Sequence, residues 1–129
     1  MSLCIVTAGK TLTLAVSLFT LSWTHSVEKT GWQEDWRVTV TGLQLLQARV
    51  KGSGAGMEPG DGAVLRHGWW EWQPQLPPQQ HLLLAASGAT GEGWNLCAPG
   101  QACLRLAEVA DEPVALSFCE PDQEAKPAL

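Results

Sequence analysis

The chain has 129 residues, with 8 basic and 13 acidic side chains and a net charge of −5; this is one domain's worth of protein and excludes the basic footprint of a nucleic-acid binder. Hydrophobic residues make up 45% and charged residues 16%, which excludes a disordered chain. Between Met1 and Val27 the one charged side chain is Lys10, yet Thr11, Thr13, Ser17, Thr20, Ser22, Thr24 and His25 interrupt the apolar run. A spanning helix is therefore excluded, a secretory signal fits poorly, and the visible sequence reads as cytoplasmic.

In chain order, residues 3–6 and 12–16 are apolar on either side of Ala8-Gly9-Lys10, which predicts an opening hairpin. Phe19, Leu21, Trp23 and His25 then alternate with Thr20, Ser22 and Thr24, and Trp36, Val38 and Val40 alternate with Arg37, Thr39 and Thr41. Both are the period-two pattern of half-buried strands. Gly42 separates the second of these from an apolar stretch at residues 43–50, so a second hairpin is expected. Residues 51–62 are glycine-rich with no apolar period and read as a loop.

Trp69-Trp70-Glu71-Trp72 reads as a short aromatic strand, and residues 73–80, with Pro74, Pro77 and Pro78, as an extended connection. Further strands are expected at residues 81–86, 94–98, 102–106 and 114–118, and only 104–109 suits a brief helix. The fold class expected is all-β, a single-domain antiparallel sandwich or partly open barrel over residues 1–119, followed by a flexible C-terminal tail at 120–129.

The four cysteines, Cys4, Cys97, Cys103 and Cys119, do not have zinc-ligand spacing. Cys97 and Cys103 flank a Pro99-Gly100 turn that could place the two sulfurs opposite each other in a hairpin disulfide. A Cys4–Cys119 bridge would require the first and last strands to meet. With no export signal visible, four reduced, buried thiols are the preferred reading.

The densest polar cluster is Thr24-His25-Ser26-Val27-Glu28-Lys29. The run from Phe19 to Lys29, with Glu34-Asp35-Trp36 and Gly54-Ala55-Gly56-Met57 after it, resembles a bacterial family known as domain of unknown function 1850, and Leu3-Cys4 and Gly9-Lys10 fit it too. The likeness runs over residues 3–119, with His-Ser-Val-Glu its most specific part. It implies a small β-rich protein encoded beside, or joined to, a TRAP transporter of the TAXI type, which imports organic solutes using a periplasmic binding protein. A non-enzymatic accessory role, a transporter component as partner, and a periplasmic or cell-envelope location follow from that resemblance.

The residues themselves offer several chemistries. His25, Ser26 and Glu28 hold the ingredients of a hydrolase, but on one strand His25 and Ser26 point to opposite faces, and no Gly-x-Ser-x-Gly elbow is present. The plainer reading has His25 closing a strand and Glu28 paired with Lys29 or Arg37 at the surface. A small organic acid could instead be held by His25, Ser26, Glu28 and Glu34 together with backbone N–H groups at Gly54 and Gly56. His25, His67, His81, Glu28 and Glu34 are too dispersed to specify a metal, and no cofactor is called for. Trp69, Trp70 and Trp72 suit a partner contact, or else both faces of that strand are covered, with Trp70 and Trp72 on one face and Trp69 on the other.

Overall fold

The computed structural model describes residues 2–7, 9–24, 31–51, 62–84, 93–107 and 113–119. Among these the chain is all-β, and every strand pairing is antiparallel. The strands are β1 (Ser2–Thr7), β2 (Lys10–Leu14), β3 (Leu18–Thr24), β4 (Gly31–Thr39), β5 (Gly42–Lys51), β6 (Val64–Arg66), β7 (Trp69–Trp72), β8 (His81–Leu84), β9 (Trp94–Cys97), β10 (Leu104–Leu106) and β11 (Val114–Cys119). They form a four-stranded sheet in the order β2-β1-β11-β8 and a seven-stranded sheet in the order β10-β9-β3-β4-β5-β7-β6. The two sheets pack as an open sandwich and do not close into a barrel. No helix among the described residues is long and apolar enough to cross a membrane.

Period-two alternation decides which face each sheet turns inward. In the smaller sheet Leu3 and Ile5 of β1 lie opposite Phe118 and Leu116 of β11, and Leu116 lies opposite Leu82 of β8. In the larger sheet Phe19 and Leu21 of β3 lie opposite Trp36 and Glu34 of β4, and Leu45 and Leu43 of β5 lie opposite Trp36 and Val38. Leu3, Ile5, Phe19, Leu21, Trp36, Val38, Leu43, Leu45, Leu96 and Leu116 are buried together as the core between the sheets. The chain leaves the larger sheet after β7 and crosses to the smaller one through residues 73–80. A backbone pair between Leu43 and Gln79 pins that crossing to the start of β5, with N···O distances of 2.7 and 2.8 Å.

Besides the short strand β6, which the sequence reading did not include, three features differ from the reading of the sequence. First, β4 begins at Gly31, well before Trp36, while Val40 sits in the β4–β5 turn with 69% of its surface exposed. The early half was hidden because an acidic residue, Glu34, occupies an inward position and breaks the apolar alternation. Second, residues 104–106 are not helical: they form β10, paired with β9 through Leu104–Leu96 and Leu106–Trp94, and Ala107 follows at a φ of 55°, outside right-handed helical space. Third, the cysteines are oxidised, not free. Cys4 is bonded to Cys119 and Cys97 to Cys103. The first and last strands do meet: β1 pairs with β11, which places Cys4 diagonally across from Cys119. Residues 25–30, 52–61 and 120–129 lie outside the described residues.

Two tests follow from this architecture. The Cys4–Cys119 bridge spans 115 residues and the Cys97–Cys103 bridge spans 6. If loop-closure entropy of the unfolded chain governs their worth, removing the first costs about 4–5 kcal/mol and removing the second about 2 kcal/mol. Urea unfolding of the two paired Cys→Ala variants measures this, and equal losses would refute the loop-length account. The second test is Gly42→Ala. Gly42 has a φ of +133°, and a β-carbon there would sit 2.7 Å from the Gln79 carbonyl oxygen. The substitution should destabilise by more than about 1 kcal/mol and speed amide exchange at Leu43 and Gln79; unchanged exchange would show that the crossing is held elsewhere.

Candidate functional site

The inner face of the larger sheet carries a row of indoles. Trp23 on β3 lies opposite Trp32 on β4, and their rings stack with centroids 5.8 Å apart. Trp94 on β9 packs against Trp23 at 4.3 Å, and Trp72 on β7 meets Trp32 edge-on at 6.4 Å. Offset and edge-on contacts of this kind add to the area the rings bury. One residue interrupts the apolar surface. Glu34 points inward between Trp32 and Trp36 along β4, flanked by Leu21 on β3 and Ala48 on β5. The register shifts directly after it: Asp35 pairs with Gln47 and Trp36 with Leu45, which leaves Leu46 as an extra residue on β5; such bulges bend the strand that carries the extra residue.

Above this row, between the sheets, lies a cavity of about 370 Å³. Its floor is Leu21, Trp23, Glu34, Trp36, Leu45 and Trp94, its far wall is Leu82 and Leu84 of β8, and its open rim includes Leu76 and Gln79 of the proline-containing crossing and the exposed Leu83. Glu34 Oε1 accepts a hydrogen bond of 3.1 Å from Trp36 Nε1. Burial raises the Glu34 pKa above the ordinary glutamate value, and the Trp36 bond draws it only part of the way back. The walls are apolar and the polar groups few, the usual make-up of a small-molecule site. A larger depression of about 500 Å³ lies beside β6 and β7, but it is lined mainly by exposed or half-buried polar side chains, including Gln73, Gln75 and an Arg66–Glu71 pair at 3.7 Å.

On the opposite face of β4 the chemistry is reversed. Asp35 takes two hydrogen bonds from Arg49 of β5, at 2.8 and 2.9 Å, and a third from the Thr20 hydroxyl of β3 at 2.8 Å. Arg49 Nε also donates to Gln33 at 3.0 Å. Burial alone would raise the Asp35 pKa, but the hydrogen bonds from Arg49 and Thr20 and the Arg49 charge together outweigh it and the value is lowered. The Arg49 guanidinium is correspondingly raised, chiefly by its bond to Asp35.

Of the site residues nominated from sequence, His25, Ser26, Glu28, Gly54 and Gly56 lie outside the described residues. Glu34 is placed, and its company is leucine and tryptophan. An ionised carboxyl there would oppose a carboxylate ligand, so it can favour an organic acid only while protonated. His67 sits in the β6–β7 turn and His81 on β8 of the other sheet, and the described residues contain no cluster of three or more metal-ligating side chains. Trp70 and Trp72 lie on the inner side of β7 opposite Val50 and Ala48, while Trp69 takes the outer side. All three are half-buried, and Trp69 has the Lys51 ammonium 5.9 Å from its ring centre. Sequence reasoning missed Trp23, Trp36, Trp94, Leu82 and Gln79 as site residues. The readable signal was Trp32-x-Glu34-x-Trp36, an acid on the apolar side of a period-two strand.

The family described as Domain of unknown function (DUF1850) matches residues 19–106, a span that contains every residue lining the cavity and stops short of β1, β2 and β11. No curated protein and no solved structure matches the chain.

The two adjacent acids should titrate with opposite consequences. Glu34 holds its proton more tightly folded than unfolded, so its contribution favours the native state in acid and is lost as pH rises through its raised pKa. Asp35 contributes above the ordinary aspartate pKa, and that contribution is lost as pH falls through its lowered one. Glu34→Gln is therefore expected to stabilise the protein at pH 7 by about 1 kcal/mol, a gain that disappears below about pH 4. Asp35→Asn should destabilise at pH 7 by about 1–2 kcal/mol, converging with the parent in stronger acid. Thermal unfolding across pH decides this, and two variants with the same pH trend would contradict the opposed settings.

Proposed function

The chain belongs to the family described as domain of unknown function (DUF1850), and from that premise we propose that it is a non-enzymatic accessory of a TAXI-type TRAP solute importer, with the inter-sheet cavity as its ligand site. The cavity carries this reading. About 370 Å³ lined by leucines and indoles and open to solvent on one side, with one carboxyl and one amide among its polar groups, is the composition of a site that orients a small solute. A single carboxyl held by a neutral indole N–H suits binding better than acid–base chemistry, which ordinarily divides its two roles between groups of different pKa.

The two disulfides support work outside the cytoplasm, where oxidised cysteines persist. This favours the periplasmic or envelope location implied by the family resemblance over the cytoplasmic one read from the N-terminal stretch. For contact with the importer, the favoured surface is the edge strand β6 beside Trp69–Trp72. Val64 and Leu65 are exposed there on a strand that has one edge unpaired among the described residues.

Because Trp23, Trp36 and Trp94 line the cavity, intrinsic fluorescence should report its occupancy. In a screen of organic solutes, a ligand at a hundredfold its dissociation constant is expected to add about 2.7 kcal/mol of stability. Leu82→Trp, which fills the cavity, should abolish that gain. Purified importer components should bind the immobilised protein and be weakened by Leu65→Lys. No solute response together with no importer binding would refute the proposed role.

A further inference from the structure

Glu34 and Asp35 are neighbours in sequence and opposites in setting. Asp35 has a countercharge, Arg49, at 2.8 Å. Glu34 has none among the described residues. Leu21 and Ala48 flank it across the sheet, Leu82, Leu84 and Gln79 face it across the cavity, and none of these titrates. Its one hydrogen bond there comes from a neutral indole. The two ion pairs among the described residues, Asp35–Arg49 and Arg66–Glu71, both lie on the outer face of the larger sheet. A carboxylate in an apolar cavity is costly unless a positive charge comes to it.

The walls of the same cavity suit such a charge. Trp23, Trp36 and Trp94 line it, and indole attracts a cation more strongly than the other aromatic side chains. The remaining walls are leucine, so the charge must be carried on a body that tolerates an apolar surface. An inorganic cation keeps its water and does not meet that requirement. The net charge of −5 also raises the local concentration of cations around the whole molecule.

We infer that the cavity binds an organic cation, an ammonium group on a compact apolar body, with the charge held between the Glu34 carboxylate and the indoles of Trp23 and Trp36. This rests on the cavity being a ligand site and assigns that site a charge class. Binding of the cation stabilises ionised Glu34 and releases its proton when the site is protonated, so affinity should rise with pH through the titration of that one carboxyl.

The test compares choline with its uncharged carbon isostere, 3,3-dimethylbutan-1-ol, by isothermal titration on the full chain with both disulfides intact. Choline is expected to bind about tenfold or more tightly than the alcohol at pH 8, with the ratio narrowing at pH 4.5. Glu34→Gln keeps the size of the side chain and removes its charge; it should cut the choline preference severalfold and remove its pH dependence, the indoles holding the remainder. Equal binding of both by the parent protein would overturn the cation assignment and leave the cavity as a ligand site. A choline preference that is undiminished in Glu34→Gln would overturn the role of Glu34. Failure of both ligands to bind would overturn the assignment, and the solute screen with Leu82→Trp then decides separately whether the cavity takes a ligand at all.

Discussion

A slip of β4 by one residue would carry Asp35 to the inner face and Glu34 to solvent, because side chains alternate strictly along a strand. What opposes that slip is the network on the outer face, where Arg49 of β5 holds both carboxylate oxygens of Asp35 and Thr20 of β3 donates to the same group. Three central strands of the larger sheet are thereby fixed in mutual register by side chains that stay partly wet. The inward placement of Glu34, the Trp23–Trp32 stack and the cavity floor all depend on that register. A half-buried acid without a countercharge among the described residues is tolerated on one face because a well-satisfied acid specifies the other, and the two differ in the company each face provides.

The smaller sheet solves a different problem. It is four strands wide, and β1 and β11 at its centre come from opposite ends of the described chain. Such a pairing has a high loop-closure cost, since nearly the whole chain lies between its partners. The Cys4–Cys119 bond across the same two strands lowers that cost by restricting the unfolded ensemble. Core residues Leu3, Ile5, Val114 and Leu116 then have a fixed sheet to pack from, and β8 is held against β11 as the wall that faces the indoles.

Much of this fold was legible because alternation is a local signal. Phe19-Leu21-Trp23 and the apolar run before Val50 identify β3 and β5 without knowledge of their partners. The all-β sandwich follows once enough such strands are separated by turn residues. β6 escaped because its three residues, Val64, Leu65 and Arg66, are all exposed and form no alternating pattern. The site was harder to read. His25-Ser26-Val27-Glu28 and the glycines stand out because polar clusters are visible in a sequence, whereas the cavity is built mainly from apolar residues spread from Leu21 to Trp94, with one acid among them. Only the strand register brings those residues together, and the register depends on pairings between distant strands. The Cys97–Cys103 bridge was legible from the Pro99-Gly100 turn between its cysteines, whereas the Cys4–Cys119 bridge was not, because the proximity of Cys4 and Cys119 is a property of sheet order.

The crossing at residues 73–80 joins these two themes. It is extended, and Pro74, Pro77 and Pro78 restrict its backbone before folding as well as after, so ordering it costs less than ordering an equivalent flexible loop. Its position is set at one end by β7 and at the other by the Leu43–Gln79 pair, which the bare backbone of Gly42 allows to approach closely. The Gln44 side chain adds a bond to the Leu76 carbonyl at 3.2 Å. Leu76 and Gln79 are therefore held over the cavity by β5, the strand that also carries Arg49. Rim and floor share one strand as their reference, so the register that directs Glu34 inward also fixes the height of the rim above it. A cavity defined in this way is largely formed before any ligand arrives, which spares a small ligand the entropy of ordering a loop on binding.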